Sequence, residues 1–225
     1  MPNLARDGDV FVLDLGDTEN RFNPDWVGAV EDLLAEVAGT PAPRALVTTA
    51  TGKFWSNGLD LEWMAANGDE VGPFVVRVHA LLGTVLGLPV PTVAAIQGHC
   101  FAAGAMLALA HDFRVMRADR GFFCLPEVDI HIPFTAPMAA LIQARLSKKT
   151  AHEAMTTARR YGGEEAAAAG IADHAVAEDQ VVARAVEIAA ALAGKDGATL
   201  GAIKEGMYPD ALAKLRDPEL VPFGA

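Results

Sequence analysis

Three short stretches hold the residues best suited to chemistry. In GKFWSNGLDL (Gly52 to Leu61), Asn57 and Gly58 make a turn soon after the apolar run RALVTT. In GHCFAAG (Gly98 to Gly104), a glycine-rich turn follows the apolar run PTVAAI. In LPEVDIHIP (Leu125 to Pro133), Glu127 and Asp129 stand among apolar residues. A strand that passes through a glycine turn into a helix leaves backbone N–H groups without partners, because the first amides of a helix have no intrahelical acceptor. Two such turns brought together would offer a pair of donors to a developing oxyanion. A carboxyl group among apolar side chains loses hydration, which raises its proton affinity and suits it to act as a base near neutral pH. Taken singly, each feature has a plainer reading, as glycines that relieve crowding or a turn carboxylate that caps a helix.

Two other chemistries are weaker. GHCFA places Cys100 where a G-x-S-x-G elbow has its serine, but Ala102 replaces the final glycine and a lone cysteine usually serves as a small hydrophobe. The six histidines, at 79, 99, 111, 131, 152 and 174, match no zinc spacing, and HEAMT from His152 lacks the second histidine of H-E-x-x-H. No metal site is expected.

The elements that must position these residues follow from periodicity and breakers. DVFVLDL, RALVTT and PTVAAI read as strands, and FRVM and FFCL as two short ones. Asn23 with Pro24 makes an N-cap and first-turn pair, and the helix that begins there stops at Gly39 and Pro41. A second helical pattern runs from Glu70 to Leu86, and AAGAMLALAHD predicts a helix buried on every side. After Pro133 the chain reads as helical almost to its end. The class is α/β, with a core over residues 1–195 and a short helical segment over 196–225.

Composition narrows the partners. Of 225 residues, 52% are hydrophobic, enough for a sizeable core, and the net charge of −11 excludes broad polyanion binding such as nucleic acid. A local cation or helix N-terminus can still hold a phosphate. Cys100 and Cys124 are too few for a disulfide framework. The N-terminus lacks a signal-peptide core and the C-terminal VPFGA matches no retention or peroxisomal signal, so a cytoplasmic protein is expected. The most apolar stretch, Leu86 to Ala110, is broken by Pro89, Pro91, Gln97 and His99, so no membrane span is expected.

In combination, KFWSNGLDL, PTVAAIQGHCFAAGAMLALAHDFRVM and the PE of LPEVDI resemble the crotonase (enoyl-CoA hydratase/isomerase) superfamily over most of the chain. RFNPD, TTATGKFWSNGLDLEW, HDFRVMRADRG and GIADHA are similar to the plant-type Δ3,Δ2-enoyl-CoA isomerases. The resemblance implies a ClpP/crotonase spiral of ββα units, C-terminal helices that mediate a homotrimer or a dimer of trimers, and an acyl-CoA thioester as substrate with no separate cofactor. It implies that the backbone amides of Leu59 and Ala103 hold the thioester oxygen, whatever side chains those positions carry.

Hydratases of the superfamily use two glutamates. One of those positions is Met106 here, and the other is Glu127. A thioether cannot orient water as a carboxylate does, so the resemblance implies isomerisation: Glu127 moves a proton from C2 to C4 of a 3-enoyl thioester. The alternatives are a weak hydratase and a catalytically silent acyl-CoA-binding homologue. Candidate substrate contacts are Lys53, as a cation for CoA phosphates, with Trp55, Asn57, Gly58, Asp60, Met106, His131 and Phe134; Trp63, Met64 and Phe74 are further candidates for an acyl tunnel. Asp129 or His131 is a candidate assistant to Glu127. His131 and Ile132 depart from the Gly-Leu of many relatives, and Thr135 replaces the aspartate of the dienoyl isomerase branch. The C-terminus is expected to be short for the superfamily.

Overall fold

The computed structural model describes residues 1–219; residues 220–225, which include the VPFGA terminus and the end of the 196–225 segment, lie outside it. Asn3–Asp7 (β1) and Val10–Asp14 (β2) form an antiparallel hairpin closed at Gly8, whose φ of +59° suits a residue without a side chain. Pro24–Gly39 (α1) starts where Asn23 accepts the Trp26 N–H at 3.0 Å.

Three units of the same design follow. Ala45–Thr49 (β3) and Phe54–Ser56 (β4) lead to Leu61–Ala66 (α2) and Gly68–Leu86 (α3). Thr92–Ile96 (β5) and His99–Phe101 (β6) lead to Ala103–Ala110 (α4). Phe113–Arg117 (β7) and Phe123–Cys124 (β8) lead to Ala136–Arg145 (α5). Each unit gives its first strand to one sheet and its second to another. Among the described residues the larger sheet has the order β1-β2-β3-β5-β7-β9, where β9 is His174–Val176, and the smaller has the order β4-β6-β8. Among the described residues every strand-to-strand pairing after the hairpin is parallel, and Tyr161 adds one antiparallel bridge to Phe123 of β8. This is the expected spiral of ββα units.

The remaining helices are Lys148–Thr157 (α6), Gly163–Ala168 (α7), Val181–Leu192 (α8), Gly197–Met207 (α9) and Pro209–Leu215 (α10). Strand alternation divides the core in two. Val47, Val93 and Ala95 pack against Val181, Ala185 and Ala189 of α8, while Leu46, Ala94 and Ile96 face the main core with α3 and α4. All eight residues of α4 are buried, as its uniform apolar sequence predicts.

The C-terminal segment joins that core through Ala211, Leu212 and Leu215. Lys204 of α9, 3% exposed, reaches under it to the carbonyls of Leu88 and Val90 and to Asp112 at 2.8 Å. The reading of an all-helical chain after Pro133 is corrected by β9. The second turn is likewise not a bare turn, since its first half is the strand β6, paired to β4 and β8.

Candidate active site

The two glycine turns lie directly against each other. The Ser56 hydroxyl accepts the Gly58 N–H at 3.1 Å and donates to the Asn20 carbonyl at 2.8 Å, which fixes the first turn. Phe22 closes it from outside: its N–H donates to the Gly58 carbonyl at 2.8 Å and its carbonyl accepts the Asp60 N–H at 2.9 Å. A β-carbon on Gly104 would approach Ser56 Oγ to 2.6 Å, so α4 can seat here only with glycine at that position. The Leu59 and Ala103 N–H groups have no acceptor among the described residues. Ala102, which precedes α4, is held at φ +51° and ψ −126°, a conformation that glycine adopts far more readily.

A cavity of about 360 Å³ opens beside these amides. Leu59, Ala102 and Ala103 line it from the turns, and Met106 from α4. Glu127, Ile130, Ile132 and Pro133 line it from the loop between β8 and α5, and Met138 from α5 itself. Glu127 is 6% exposed and its Oε2 has no hydrogen-bond partner. Burial raises its pKa to about 7, an effect its own backbone amide only partly offsets. Glu62 also lines the cavity, but it is exposed and paired with Arg21 at 3.0 Å. Among the described residues, then, the lining offers two unpaired amides, one buried carboxyl and the Met106 thioether in a largely apolar wall. Such a set can polarise a carbonyl and move a proton at the adjacent carbons.

The structure brings together Leu59, Ala103, Glu127, Met106 and Asn57, and it separates the other expected contacts from them. Trp55 is fully buried on the opposite side of β4, its indole donating to the Thr48 carbonyl at 3.3 Å, because strand neighbours point to opposite faces. Lys53 lines a different cleft with Gln97 and Arg120, its ammonium lying 5.2 Å from the Phe54 ring centre. Gly58 stands behind the lining rather than in it, and Asp60 is the N-cap of α2, accepting the Trp63 N–H at 3.2 Å. Phe134, Trp63 and Met64 pack against the main core, and Phe74 meets Trp63 edge-on at 4.8 Å.

His131 and Asp129 are exposed and neither lines the cavity; the turn directs Ile130 and Ile132 into it instead. His131 adopts φ +60°, a backbone conformation that glycine takes more readily than an L-residue. Cys100 is fully buried and its burial pushes the thiol pKa well up, which removes it as a nucleophile. Arg21, Phe101, Ile130 and Met138 are lining residues that the sequence reading missed. Met138 carried a signal, being on the same helical face as the buried Leu141 and Ile142.

Fold and site define an α/β protein of the ββα spiral class with an amide pair and one buried carboxyl lining the same cavity. The chain belongs to the enoyl-CoA hydratase/isomerase family, whose model matches residues 7–218. It is 38% identical over 225 residues to enoyl-CoA delta isomerase 2, peroxisomal, of Arabidopsis thaliana, with 93% of each chain covered. It is 37% identical to enoyl-CoA delta isomerase 3 of the same plant, again over 93% of each. Among solved structures, an enoyl-CoA isomerase of Mycobacterium tuberculosis superposes with a TM-score of 0.88 at 26% identity, over 96% of this chain and 95% of the other. The human mitochondrial Δ3,Δ2-enoyl-CoA isomerase shares the fold, with a TM-score of 0.87 at 23% identity over 95% of this chain and 85% of the other.

Proposed function

We propose that this protein is a Δ3,Δ2-enoyl-CoA isomerase, moving the double bond of a 3-enoyl thioester into conjugation as trans-2-enoyl-CoA. The observation that carries the reading is the buried Glu127 carboxyl, its Oε2 without a partner, in the same cavity as Leu59 and Ala103. The thioester oxygen accepts from the two amides. Glu127 takes a proton from C2, the electron pair delocalises through the enolate to C4, and the carboxylic acid returns the proton to C4. No atom is lost or gained and no cofactor is consumed. The relatives named as isomerases support the same reaction, and the fit of such chemistry to β-oxidation of unsaturated chains follows from the product, a conjugated enoyl thioester.

Met106 argues against hydration as the main activity, because water would find one buried acid in the cavity wall, Glu62 being exposed and paired with Arg21, where hydration calls for two. Binding without turnover is separated from catalysis by following deuterium uptake at C2 of bound acyl-CoA. With 3-hexenoyl-CoA, Glu127→Gln should lose isomerisation by about 10²–10⁴-fold while still binding the thioester. Turnover at the parent rate would remove Glu127 from the mechanism.

A trimer remains part of the proposal, supported by the exposed Ile203 and Met207 on α9 and tested by sedimentation. No helix among the described residues is long and apolar enough to cross a membrane. A cytoplasmic address is the expectation from the sequence, whereas the relative above is named as peroxisomal, and the free, buried Cys100 and Cys124 fit either compartment. Cell fractionation decides between them.

A further inference from the structure

His79 is fully buried on α3, a helix that contributes nothing to the cavity lining among the described residues. Its Nε2 lies 2.8 Å from Thr135 Oγ1, and its Nδ1 has no partner. Thr135 is where the Glu127 loop becomes α5: its hydroxyl accepts the Met138 N–H at 3.3 Å and its carbonyl accepts the Ala139 N–H at 2.9 Å. The loop itself is tight. Ile132 N–H donates to the Glu127 carbonyl at 3.0 Å, and the Asp129 and Ile130 N–H groups both donate to the Pro126 carbonyl. Upstream, the loop is fixed by buried Leu125 and by the pairing of β8 with β6. Downstream, the Thr135 side chain is tied to His79, and Ile132, Pro133 and Met138 on either side of Thr135 all line the cavity.

A buried imidazole with one ring nitrogen unsatisfied is unfavourable for stability, and an apolar residue of similar volume would avoid that cost. Groups that cost stability concentrate where function sets the residue. We propose that His79 is a positioning residue: through Thr135 it fixes the downstream end of the loop that carries Glu127, and so sets where the carboxylate stands against the acyl chain. The proposal rests on the reading of Glu127 as the base. Burial lowers the His79 pKa to about 4, so the ring stays neutral through the working range and the tie does not itself switch near pH 7.

Steady-state isomerisation of 3-hexenoyl-CoA by His79→Leu, Thr135→Val and Thr135→Ser tests it. His79→Leu should keep or raise the thermal midpoint while kcat falls by about tenfold to a hundredfold. KM should stay within about twofold, as expected when placement rather than binding is lost. The acid limb of the kcat/KM profile, set by Glu127, should move to lower pH as the loosened loop lets water reach the carboxyl. Thr135→Val should reproduce this pattern and Thr135→Ser should restore the parent kcat. A folded His79→Leu protein with the parent kcat and an unmoved acid limb would overturn the proposal. If His79→Leu does not fold, equal kcat for Thr135→Val and Thr135→Ser overturns it instead. Failure of the base assignment is read separately, from Glu127→Gln.

Discussion

A β-carbon on Gly58 would stand 2.9 Å from the amide nitrogen of Ala103 and equally close to the Ala102 β-carbon. The two turns therefore meet through the absence of one side chain, and Gly58 also holds φ +80°, where an L-residue is strained. Gly58→Ala must push the turns apart. We expect a lower thermal midpoint and a loss of roughly 10²–10³ in kcat, the effect of removing one oxyanion donor. An alanine protein with the parent kcat for 3-hexenoyl-CoA would mean that the amides of Leu59 and Ala103 do not act together.

Glu127 gives opposite pH dependences for activity and stability. Its pKa is raised to about 7, and a base works only when ionised, so kcat/KM should fall as pH drops below that value. For stability the sign reverses. Between the ordinary carboxyl value and about 7 the folded state binds the proton more tightly than the unfolded state, so stability decreases as pH rises through this window. The ionised group should cost on the order of 3 kcal/mol, and Glu127→Gln should be the more stable protein in denaturant titrations at pH 8 but not at pH 4.

Met106 is 1% exposed and stands on the first turns of α4 in the cavity wall. Met106→Glu would add the second carboxylate that hydration requires. Hydration of crotonyl-CoA, followed by loss of its conjugated absorbance, should rise at least about tenfold, and stability should drop because a carboxyl replaces an apolar side chain in the core. No gain in hydration would mean that Met106 is not what limits it.

Cys100→Ala should turn over within about twofold of the parent, since the thiol is buried on β6 and takes no part in the cavity. Inactivation of the native protein by iodoacetamide at Cys100 would contradict this.

What the sequence carried and what it did not can be seen at particular residues. β3 and β5 are continuous apolar runs and α4 is apolar on every face, so burial is written into them directly. β1 is not apolar: Asn3, Ala5, Arg6 and Asp7 form a strand because β2 pairs with them across the Gly8 turn. β4 and β6, at three residues each, are too short for alternation to register, and distant strands define them. The same shortness misplaced Trp55, because without knowing that β4 is a strand its indole could not be assigned to the core face. Leu59, Ala103 and Glu127 were singled out by the resemblance of their motifs, and the structure places all three in the lining of one cavity. Lys53, His131 and the Ile130–Ile132 wall depend on how turns direct side chains, which spacing does not encode.

The grip on the substrate oxygen, as proposed, belongs to the main chain, held by Ser56 beneath Gly58 and Gly104. Replacing the side chain at 59 or 103 leaves that grip intact, whereas the groups at 106 and 127 line the cavity with their side chains and are open to exchange. The scaffold thus separates anchoring from reactivity, and redesign of the reaction can proceed at the second set of positions while the first is left alone.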